Sequence, residues 1–412
     1  MEAESGYKTP KRPIPEPLRG SEIGTFAHNT VAVRIPNIGR RILAENDFSP
    51  EIMARLQALI GDIPYGRICP LRDPTAPDSG DWARYVEPYV DQNWLQVPWF
   101  FAETYFYRRV LETTGYFRPG AGHGVDPYGR QKREGLESSQ EAILAVAAHV
   151  NALLSRDESK PEDLSRLLKM NLWGNQADLS LWPAGHGEGP GHADDQARDA
   201  HLLADDSQRA GELLGASQGQ RSRVDFILDN AGLELVNDLA LADYLLGSQT
   251  AGRVRFHLKS HPTFVSDAMI EDVEQTVAFL LVAPNAEGRS FGQRLRDHLE
   301  EGRLQLEDSF FWTSPLALWE MPAQLRSVLG SAYLIVNKGD ANYRRSLGDR
   351  HWPYTTPVAE ALRYLPAPWV ALRVAKSEVA IGLSLEQTRE LDRIDPAWKV
   401  DGRWGMIQLV IL

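Results

Sequence analysis

Two neighbouring side chains in the middle of the sequence, Asp229 and Asn230, could bind a metal ion. They follow residues 224–228, a β-branched and aromatic run that predicts a buried strand, and they precede apolar residues at helical spacing from Leu233 onward. In open α/β sheets, ligands bind at this carboxyl end of the strands. A carboxylate beside an amide oxygen suits Mg²⁺ or Mn²⁺. Helix capping explains this pair, taken alone, equally well, because Asp and Asn are favoured N-cap residues.

Polar residues also follow three further predicted strands. Residues 253–259 alternate apolar and charged side chains and lead to Asp267, residues 331–336 lead to a polar loop, and residues 370–374 lead to Lys376. The polar loop and the fourth strand add Asn337, Lys338, Asp340, Asn342, Arg344 and Arg373. If the strands are parallel, as the alternation of strands and helices predicts, these residues share one rim of the sheet.

The residue types on this rim suit a phosphorylated substrate. Two carboxylates and an amide oxygen could hold a divalent cation, and that cation would neutralise phosphate oxygens together with the Lys and Arg side chains. The alternative is that the charged residues form structural ion pairs, as we expect for Glu103 and Arg108 in the helical part of the chain. Four strands that all end in polar residues favour a binding site.

The parts of the chain that would position this rim differ in their patterns. Residues 21–165 show helical spacing and predict an all-helical N-terminal domain, whereas residues 166–412 predict an α/β domain. Residues 1–20 are expected to be a disordered leader. Residues 183–222 are rich in Gly, Asp and Gln and are expected to form a flexible insert whose histidines are solvated and do not bind metal.

Composition excludes several classes of protein. With 412 residues, 43% of them hydrophobic and 24% charged, the chain has the composition of a globular protein. A net charge of −12 argues against binding to nucleic acid. The single cysteine, Cys69, rules out an intrachain disulfide and favours a cytoplasmic location, with the nucleus as an alternative. No apolar run approaches the roughly 20 residues of a membrane span, so no membrane association is expected.

Several segments resemble the signatures of one family. DNAGLE, HLKSHPTFVSD, NKGDANYRR, GDRHWP and NLWGNQADLS are similar to motifs of the damage-control metal-dependent phosphatases, in the branch that includes the acidic-residue methyltransferase-like sugar-phosphate phosphatases. The resemblance extends over nearly the whole chain. It implies an α/β/α sandwich with a mostly parallel sheet, preceded by an all-helical N-terminal domain. It also implies a divalent cation, Mg²⁺ or Mn²⁺ or a similar ion such as Ni²⁺ or Co²⁺.

The resemblance also implies roles for particular residues. Asp229, Asn230 and Asp267 would hold the cation and form the catalytic set. Substrate contacts would come from Asp340, Ala341, Asn342, Tyr343, Arg344 and Lys376, with Arg373 and Lys338 nearby. Glu234 matches a position associated with S-adenosylmethionine. One departure is that the Arg-Thr-x-Lys motif of the branch stands here as Arg373-Val374-Ala375-Lys376, without the hydroxyl.

The expected function is hydrolysis of small sugar phosphates such as fructose 1-phosphate or fructose 6-phosphate. Lys376, with Lys338 or Arg344, would offset charge on the transferring phosphoryl group. Asp229 could act as general base or as nucleophile, and the sequence leaves both open. Two alternatives are an S-adenosylmethionine-dependent methyltransferase that modifies protein carboxyl groups and a non-enzymatic, metal-stabilised scaffold. The glycine-rich GxGxxG pattern of dinucleotide-binding folds is absent.

Overall fold

The computed structural model describes residues 8–156, 160–174, 199–217 and 219–411. The first part of the chain is helical, and its local sequence explains where helices begin. At the start of the third helix, for example, the Ser49 side chain accepts a hydrogen bond from the Ile52 N–H at 3.4 Å. Pro50 takes the first helical position, where its missing N–H costs nothing. The helices of this part are α1 (Phe26–Asn29), continued by a π-helical turn (Thr30–Arg34) into α2 (Ile35–Glu45), α3 (Pro50–Asp62), α4 (Ser79–Val86), α5 (Trp99–Thr114), α6 (Gly129–Ser138), α7 (Gln140–Leu154) and α8 (Pro161–Trp173).

A seven-stranded sheet forms the centre of the molecule in the described residues, with strand order β1-β7-β6-β5-β2-β3-β4. Its neighbours pair in parallel except β6 and β7, which are antiparallel. The predicted α/β class with a mostly parallel sheet is therefore confirmed. The strands are β1 (Leu202–Asp205), β2 (Gly219–Ile227), β3 (Ala251–Lys259), β4 (Leu304–Ser309), β5 (Leu334–Lys338), β6 (Trp369–Val374) and β7 (Gly405–Val410).

Helices cover both faces of the sheet, because residues of each central strand alternate between two apolar cores. The first core joins one face to helices α1 to α5, and the second joins the other face to α7, α8 and the helices that connect the strands. The connecting and later helices are α9 (Ser207–Gly215), α10 (Leu233–Gly247), α11 (Ile270–Leu281), α12 (Ala286–Glu300), α13 (Ala323–Gly330), α14 (Gly339–Ser346), α15 (Val358–Ala361) and α16 (Leu385–Ile394).

The structure differs from the expected domain boundaries. Helix α8 runs across the boundary predicted between residues 165 and 166, and it packs in the core of the sheet rather than with the first helices. Within the predicted leader, Leu18 is buried and its N–H donates to the Asp349 carbonyl at 3.0 Å. Residues 1–7 lie outside the described residues.

The predicted flexible insert is also only partly described. Residues 183–198 lie outside the described residues, while residues 199–222 include β1, α9 and the start of β2. The polar composition of the whole stretch does not reveal the local apolar periodicity of β1 and α9. Leu203 packs in a small apolar cluster, and Ala210 and Leu214, one helical turn apart, are buried in the second core.

The expected ion pair between Glu103 and Arg108 is wrong. They are five positions apart on α5, so they do not face each other as residues three or four apart would. Arg108 instead donates to both oxygens of Asp78 at 2.7 and 2.8 Å, and Glu103 accepts from Arg344 at 2.7 Å. The latter contact ties the helical part to α14.

Among the helices that the structure describes, none combines the length and the apolar character that a membrane crossing requires.

Candidate active site

The chain after β2 meets the loop after β3 at one end of the sheet. Asn230 and Asp267 form an isolated antiparallel bridge, and the Ala268 N–H donates to the Asp229 carbonyl at 2.8 Å. This pairing follows from parallel neighbouring strands, because their carboxyl ends emerge side by side. The structure thus brings Asp229, Asn230 and Asp267 together.

Buried negative charge dominates this cluster. Burial raises the pKa of Asp229 well above its usual value, and the neighbouring carboxylates of Asp267 and Glu234 raise it further. Burial also raises the pKa of Asp267, although the Lys259 ammonium lies 3.0 Å from its Oδ2 and opposes that rise. The contact with Lys259 lacks hydrogen-bond geometry, so Asp267 Oδ2 has no hydrogen-bond partner among the described residues. A cation would relieve this repulsion.

The donor atoms fit the divalent cation that the sequence implies. Asp229 and Asp267 offer carboxylate oxygens and Asn230 an amide oxygen, which are ligands for hard ions such as Mg²⁺ and Mn²⁺. The described residues contain no group of three or more His, Cys, Asp or Glu side chains arranged for a metal. A cation here would therefore depend on the Asn230 oxygen as well as on the two acids.

The Asn230 amide has a defined orientation. Its Nδ2 donates to Asp229 Oδ2 at 3.0 Å and to Glu234 Oε2 at 2.9 Å, and its Oδ1 accepts from Ser266 Oγ at 2.6 Å. An amide oxygen has two lone pairs, so Oδ1 retains one for a ligand. Glu234, which the resemblance associates with S-adenosylmethionine, is buried and already bonded to Asn230.

A glycine lets β5 turn into α14 directly against Asp229. Gly339 has φ +79°, and a Cβ built there would lie 1.9 Å from Asp229 Oδ2. Only glycine accepts both the backbone conformation and this close approach. The first turn of α14 is therefore adjacent to the acidic cluster.

Asp340, in that first turn, is held by residues at the end of β6. Its Oδ1 accepts from Arg373 Nε at 2.7 Å, from Ser377 Oγ at 3.0 Å and from the Lys376 N–H at 3.3 Å. Burial alone would raise the pKa of Asp340, but the charges of Arg373 and Arg344 and these hydrogen bonds outweigh it and lower that pKa. Asp340 thus remains a carboxylate that links the β5 and β6 ends.

Lys376 stands apart from the other predicted basic residues because its side chain is exposed. Its charge reaches the Asp229 carboxyl, where it opposes the rise in the pKa of Asp229. The described residues place no ion-pair partner within contact of its ammonium. The Lys376 ammonium is therefore available to an anionic ligand at the cluster.

Two predicted substrate contacts, Asn342 and Tyr343, are buried and occupied by the protein. Asn342 Nδ2 donates to the Leu228 carbonyl at 2.9 Å, and Tyr343 OH donates to Gln408 Oε1 at 2.8 Å. Their side chains hold α14 against β2 and β7. The substrate contacts that the resemblance implies for Asn342 and Tyr343 stay a prediction.

Arg344 is held by other residues of the protein in the same way. Its side chain is 4% exposed. Its guanidinium donates to Asp349 at 2.8 and 3.1 Å and to Glu103 at 2.7 Å, and it lies 3.4 Å from the centre of the Trp99 ring. Two carboxylates already neutralise its charge. Arg344 thus joins the helical part to α14, and the substrate contact implied for it stays a prediction.

Lys338 is likewise enclosed by other residues of the protein. Its side chain is 1% exposed, and its Nζ donates to the Asn171 carbonyl at 2.8 Å, with Asp238 Oδ1 at 3.2 Å and Glu234 Oε1 at 3.6 Å. Lys338 is the last residue of β5 and not, as the sequence suggested, part of the following loop, so its side chain enters the second core. Burial raises the pKa of the adjacent Asp238 to about 7.

Sequence reasoning missed Lys259. In the sequence it is one of the charged residues of an alternating strand, but in the structure it is buried, and its Nζ donates to the Leu228 carbonyl at 2.8 Å beside Asp267. The signal was available, because a central parallel strand is buried on both faces and a charged residue in it needs a partner.

A cavity of about 300 Å³ adjoins Asn230 on the side of α6. Its lining includes Gln131 and Gly135 of α6, Ser139 beyond that helix, and Val265 and Ser266 from the loop after β3. Ser266 is also the residue that donates to Asn230. The cavity therefore borders the acidic cluster at Asn230, and its lining mixes polar and small residues.

The chain is similar to a known protein family and to named proteins of that family. The family model described as the damage-control phosphatase ARMT1-like domain matches residues 30–391. A protein named damage-control phosphatase ARMT1 from Danio rerio is 32% identical over 434 aligned residues, which cover 96% of each chain. The protein of that name from Homo sapiens is 30% identical, covering 96% of this chain and 98% of its own. The crystal structure of a DUF89 family protein from Pyrococcus horikoshii aligns with a TM-score of 0.47 and 14% identity, over 91% of this chain and 96% of that one.

Proposed function

The chain belongs to the damage-control phosphatase ARMT1-like family, and from that membership we propose that it is a metal-dependent phosphatase of small sugar phosphates such as fructose 1-phosphate or fructose 6-phosphate. The family implies the phosphatase activity. The observation that supports a metal-dependent form of it is the meeting of two buried carboxylates, Asp229 and Asp267, with the amide of Asn230.

Asp229, Asn230 and Asp267 would hold the cation. When bound, a divalent cation offsets negative charge on the phosphoryl group of the substrate. The Lys259 ammonium would favour the ionised form of Asp267 and hold it in place, since it contacts both Asp267 and the Leu228 carbonyl. These residues supply the rigid, partly buried surroundings in which electrostatic stabilisation is strong.

The phosphoryl group would bind between Lys376 and the start of α14. Lys376 offers an exposed ammonium near Asp229, and the first N–H groups of any helix have no partner within it. Ala341 has no polar side chain, so the contact predicted for it must use its backbone. Asp340 fixes the position of Lys376 relative to α14, because it belongs to α14 and accepts a hydrogen bond from the Lys376 N–H.

The organic part of the ester would occupy the cavity beside Asn230. A volume of about 300 Å³ is at the lower end for small-molecule sites and suits a ligand of sugar size. Gln131 and Ser139 can donate and accept hydrogen bonds, as the hydroxyl groups of a sugar require.

Release of inorganic phosphate from a panel of phosphate esters tests the proposal. We expect turnover of hexose phosphates with Mn²⁺ or Mg²⁺, loss of turnover with a chelator, and recovery when the ion is returned. Asp229→Asn should abolish turnover. Asp308→Asn, an exposed acid at the carboxyl end of the neighbouring edge strand, should not. Undiminished turnover in chelator would contradict the metal dependence, and turnover confined to other esters would contradict the substrate class.

A further inference from the structure

A chain of polar contacts leads from the acidic cluster into the second core. Asp229 Oδ2 accepts from Asn230 Nδ2 at 3.0 Å, and the same Nδ2 donates to Glu234 at 2.9 Å. Glu234 Oε1 lies 3.6 Å from Lys338 Nζ, which lies 3.2 Å from Asp238. Every residue in this series of polar contacts except Asn230 is buried.

The orientation of the Asn230 amide decides whether Asn230 can bind a cation. Its oxygen can coordinate a metal and its NH₂ group cannot. Two carboxylates, on Asp229 and Glu234, accept from the NH₂ end and so hold the oxygen at the opposite side, next to Ser266. An amide turned by half a rotation would present its hydrogens to the cation.

Glu234 can hold the amide only if its own charge is compensated. It is buried close to Asp229, whose pKa it helps to raise, so it stands in a region of like charge. Lys338 is the cation in ion-pair contact with Glu234 among the described residues. An uncompensated buried carboxylate would be costly and would move away from the amide.

Lys338 is itself fixed from three sides. Glu234 and Asp238 are four residues apart on α10 and therefore lie on one face of that helix, where both contact the ammonium. The Asn171 carbonyl of α8 accepts from it at 2.8 Å. Because only 1% of the Lys338 side chain is exposed, it cannot reach a substrate.

We propose that Lys338 is a positioning residue, which acts through Glu234 to keep the Asn230 oxygen turned toward the cation. The proposal rests on the cation site of the proposed function. It assigns Lys338 to metal affinity, two contacts away from the metal ligand Asn230, and not to substrate binding. Asp238 anchors the ammonium in this role.

Calorimetric titration with Mn²⁺ alone, without substrate, tests the role. In Lys338→Met, which keeps the length of the side chain and removes its charge, we expect the Kd for Mn²⁺ to rise about tenfold or more, as is usual when a residue that orients a metal ligand is lost. Lys338→Arg, which keeps the charge, should recover part of the affinity. An unchanged Kd in Lys338→Met would overturn the proposal.

A double variant tests whether Lys338 acts through Glu234. Glu234→Gln keeps an acceptor for Asn230 Nδ2 but carries no charge that needs Lys338. In that background, Lys338→Met should change the Kd by less than about twofold, because the two substitutions remove the same interaction. An equal loss of affinity in both backgrounds would overturn the route through Glu234.

A matched control separates positioning from general damage to the fold. Arg294→Met removes the cation that contacts Asp243, a fully buried acid near the other end of α10, at 2.7 Å. It should lower the melting temperature, as Lys338→Met should, but leave the Kd for Mn²⁺ unchanged. If Arg294→Met weakens Mn²⁺ binding as much as Lys338→Met does, the effect is not specific and the proposal fails.

The side-chain amide signal of Asn230, in metal-free protein labelled at asparagine, is a readout that needs no metal. Two hydrogen bonds to carboxylates should protect both Nδ2 protons from exchange in the wild type, and Lys338→Met should remove that protection. Unchanged protection would overturn the proposal. If the wild type binds no Mn²⁺ while the amide behaves as expected, the proposed function fails and the orienting role of Lys338 stands.

Discussion

Lys376 and Arg344 are both basic residues expected at the substrate, but their surroundings differ. Arg344 is enclosed by Glu103, Asp349 and Trp99, whereas Lys376 is exposed and acts on Asp229. A buried arginine with two carboxylates has no free charge to offer a phosphate. At the scale of residues, charge type alone therefore does not identify the ligand contact.

Replacing Lys376 should damage catalysis without damaging the fold. In Lys376→Met we expect kcat to fall about 100-fold, as when one preorganised group that stabilises transition-state charge is removed. The melting temperature should stay the same because the side chain is exposed. Lys399→Met, whose ammonium is paired with Asp392 at 2.9 Å, is the control and should retain activity. Full activity of Lys376→Met would remove Lys376 from the site.

Val374 tests the one departure from the family motif. It is 7% exposed and packs in the second core, on the strand face opposite to Arg373. Val374→Thr restores the hydroxyl but buries it among apolar side chains, so the free energy of unfolding should fall by about 1–3 kcal/mol. We expect kcat/KM to change by less than about twofold. Urea unfolding and steady-state kinetics measure the two effects, and a marked rise in kcat/KM would show that the hydroxyl contacts substrate.

At the scale of elements, the turn between β5 and α14 positions the site. Gly339→Ala places a methyl group against Asp229 as well as straining the backbone at φ +79°. We expect loss of Mn²⁺ binding and of turnover, together with a lower melting temperature. Gly302→Ala carries a similar strain, at φ +67°, but its Cβ meets nothing within 4 Å. It should cost about 1–2 kcal/mol of stability and no activity. Equal activity of the two variants would contradict this account.

The cavity beside Asn230 can be filled from α6. Gly135 and Gly61 are both exposed helical glycines whose added Cβ meets nothing within 4 Å, but only Gly135 lines the cavity. In Gly135→Phe, kcat/KM for a hexose phosphate should fall about tenfold, and for methyl phosphate by about twofold or less, because only the larger ester needs the space. Gly61→Phe should change neither. An equal effect on both esters would place the organic group elsewhere.

Strand ends were predictable from sequence where a strand is apolar and central. The run before Asp229 and the alternating run before Asp267 marked β2 and β3, and the rule for parallel strands then placed their ends together. Strand β4 (Leu304–Ser309) lies at the edge of the sheet and carries weak alternation directly after a long helix, so it was not predicted. Strand β1 (Leu202–Asp205) is short and lies in a polar stretch, so no long apolar pattern marks it in the sequence.

Contacts between distant residues could not be predicted. Glu103 and Arg344 are 241 residues apart, and no local pattern relates them. The same limit applies to Lys338, whose side chain direction depends on a strand that begins and ends two to three residues later than residues 331–336 suggested. In a strand, a small shift of this kind changes which residues are enclosed.

At the scale of the whole molecule, the buried acids make stability depend on pH. Burial raises the pKa of Asp238 from 3.8 to about 7, with Glu234 adding to the rise and Lys338 opposing it. Between these values the folded protein holds a proton that the unfolded chain has released. The contribution of Asp238 to stability therefore falls as pH rises from about 4 to about 7 and levels off above that.

Asp238→Asn replaces this acid with a side chain that binds no proton in this pH range. In metal-free protein, its melting temperature should decrease less between pH 5 and pH 8 than that of the wild type. Asp308→Asn, at an exposed acid, should follow the wild type. The comparison is made by thermal unfolding in chelator, and parallel curves for Asp238→Asn and wild type would contradict the raised pKa.

Strand β7 is last in the sequence but lies between β1 and β6 in the sheet. A ribosome releases it after every other described strand, so in the nascent protein β1 has no neighbour and β6 remains an open edge. Gln408, the acceptor for Tyr343, also arrives only then. Translation that stops before residue 405 would leave an unpaired edge of buried, apolar strand at β6, which invites association with other chains in the absence of β7.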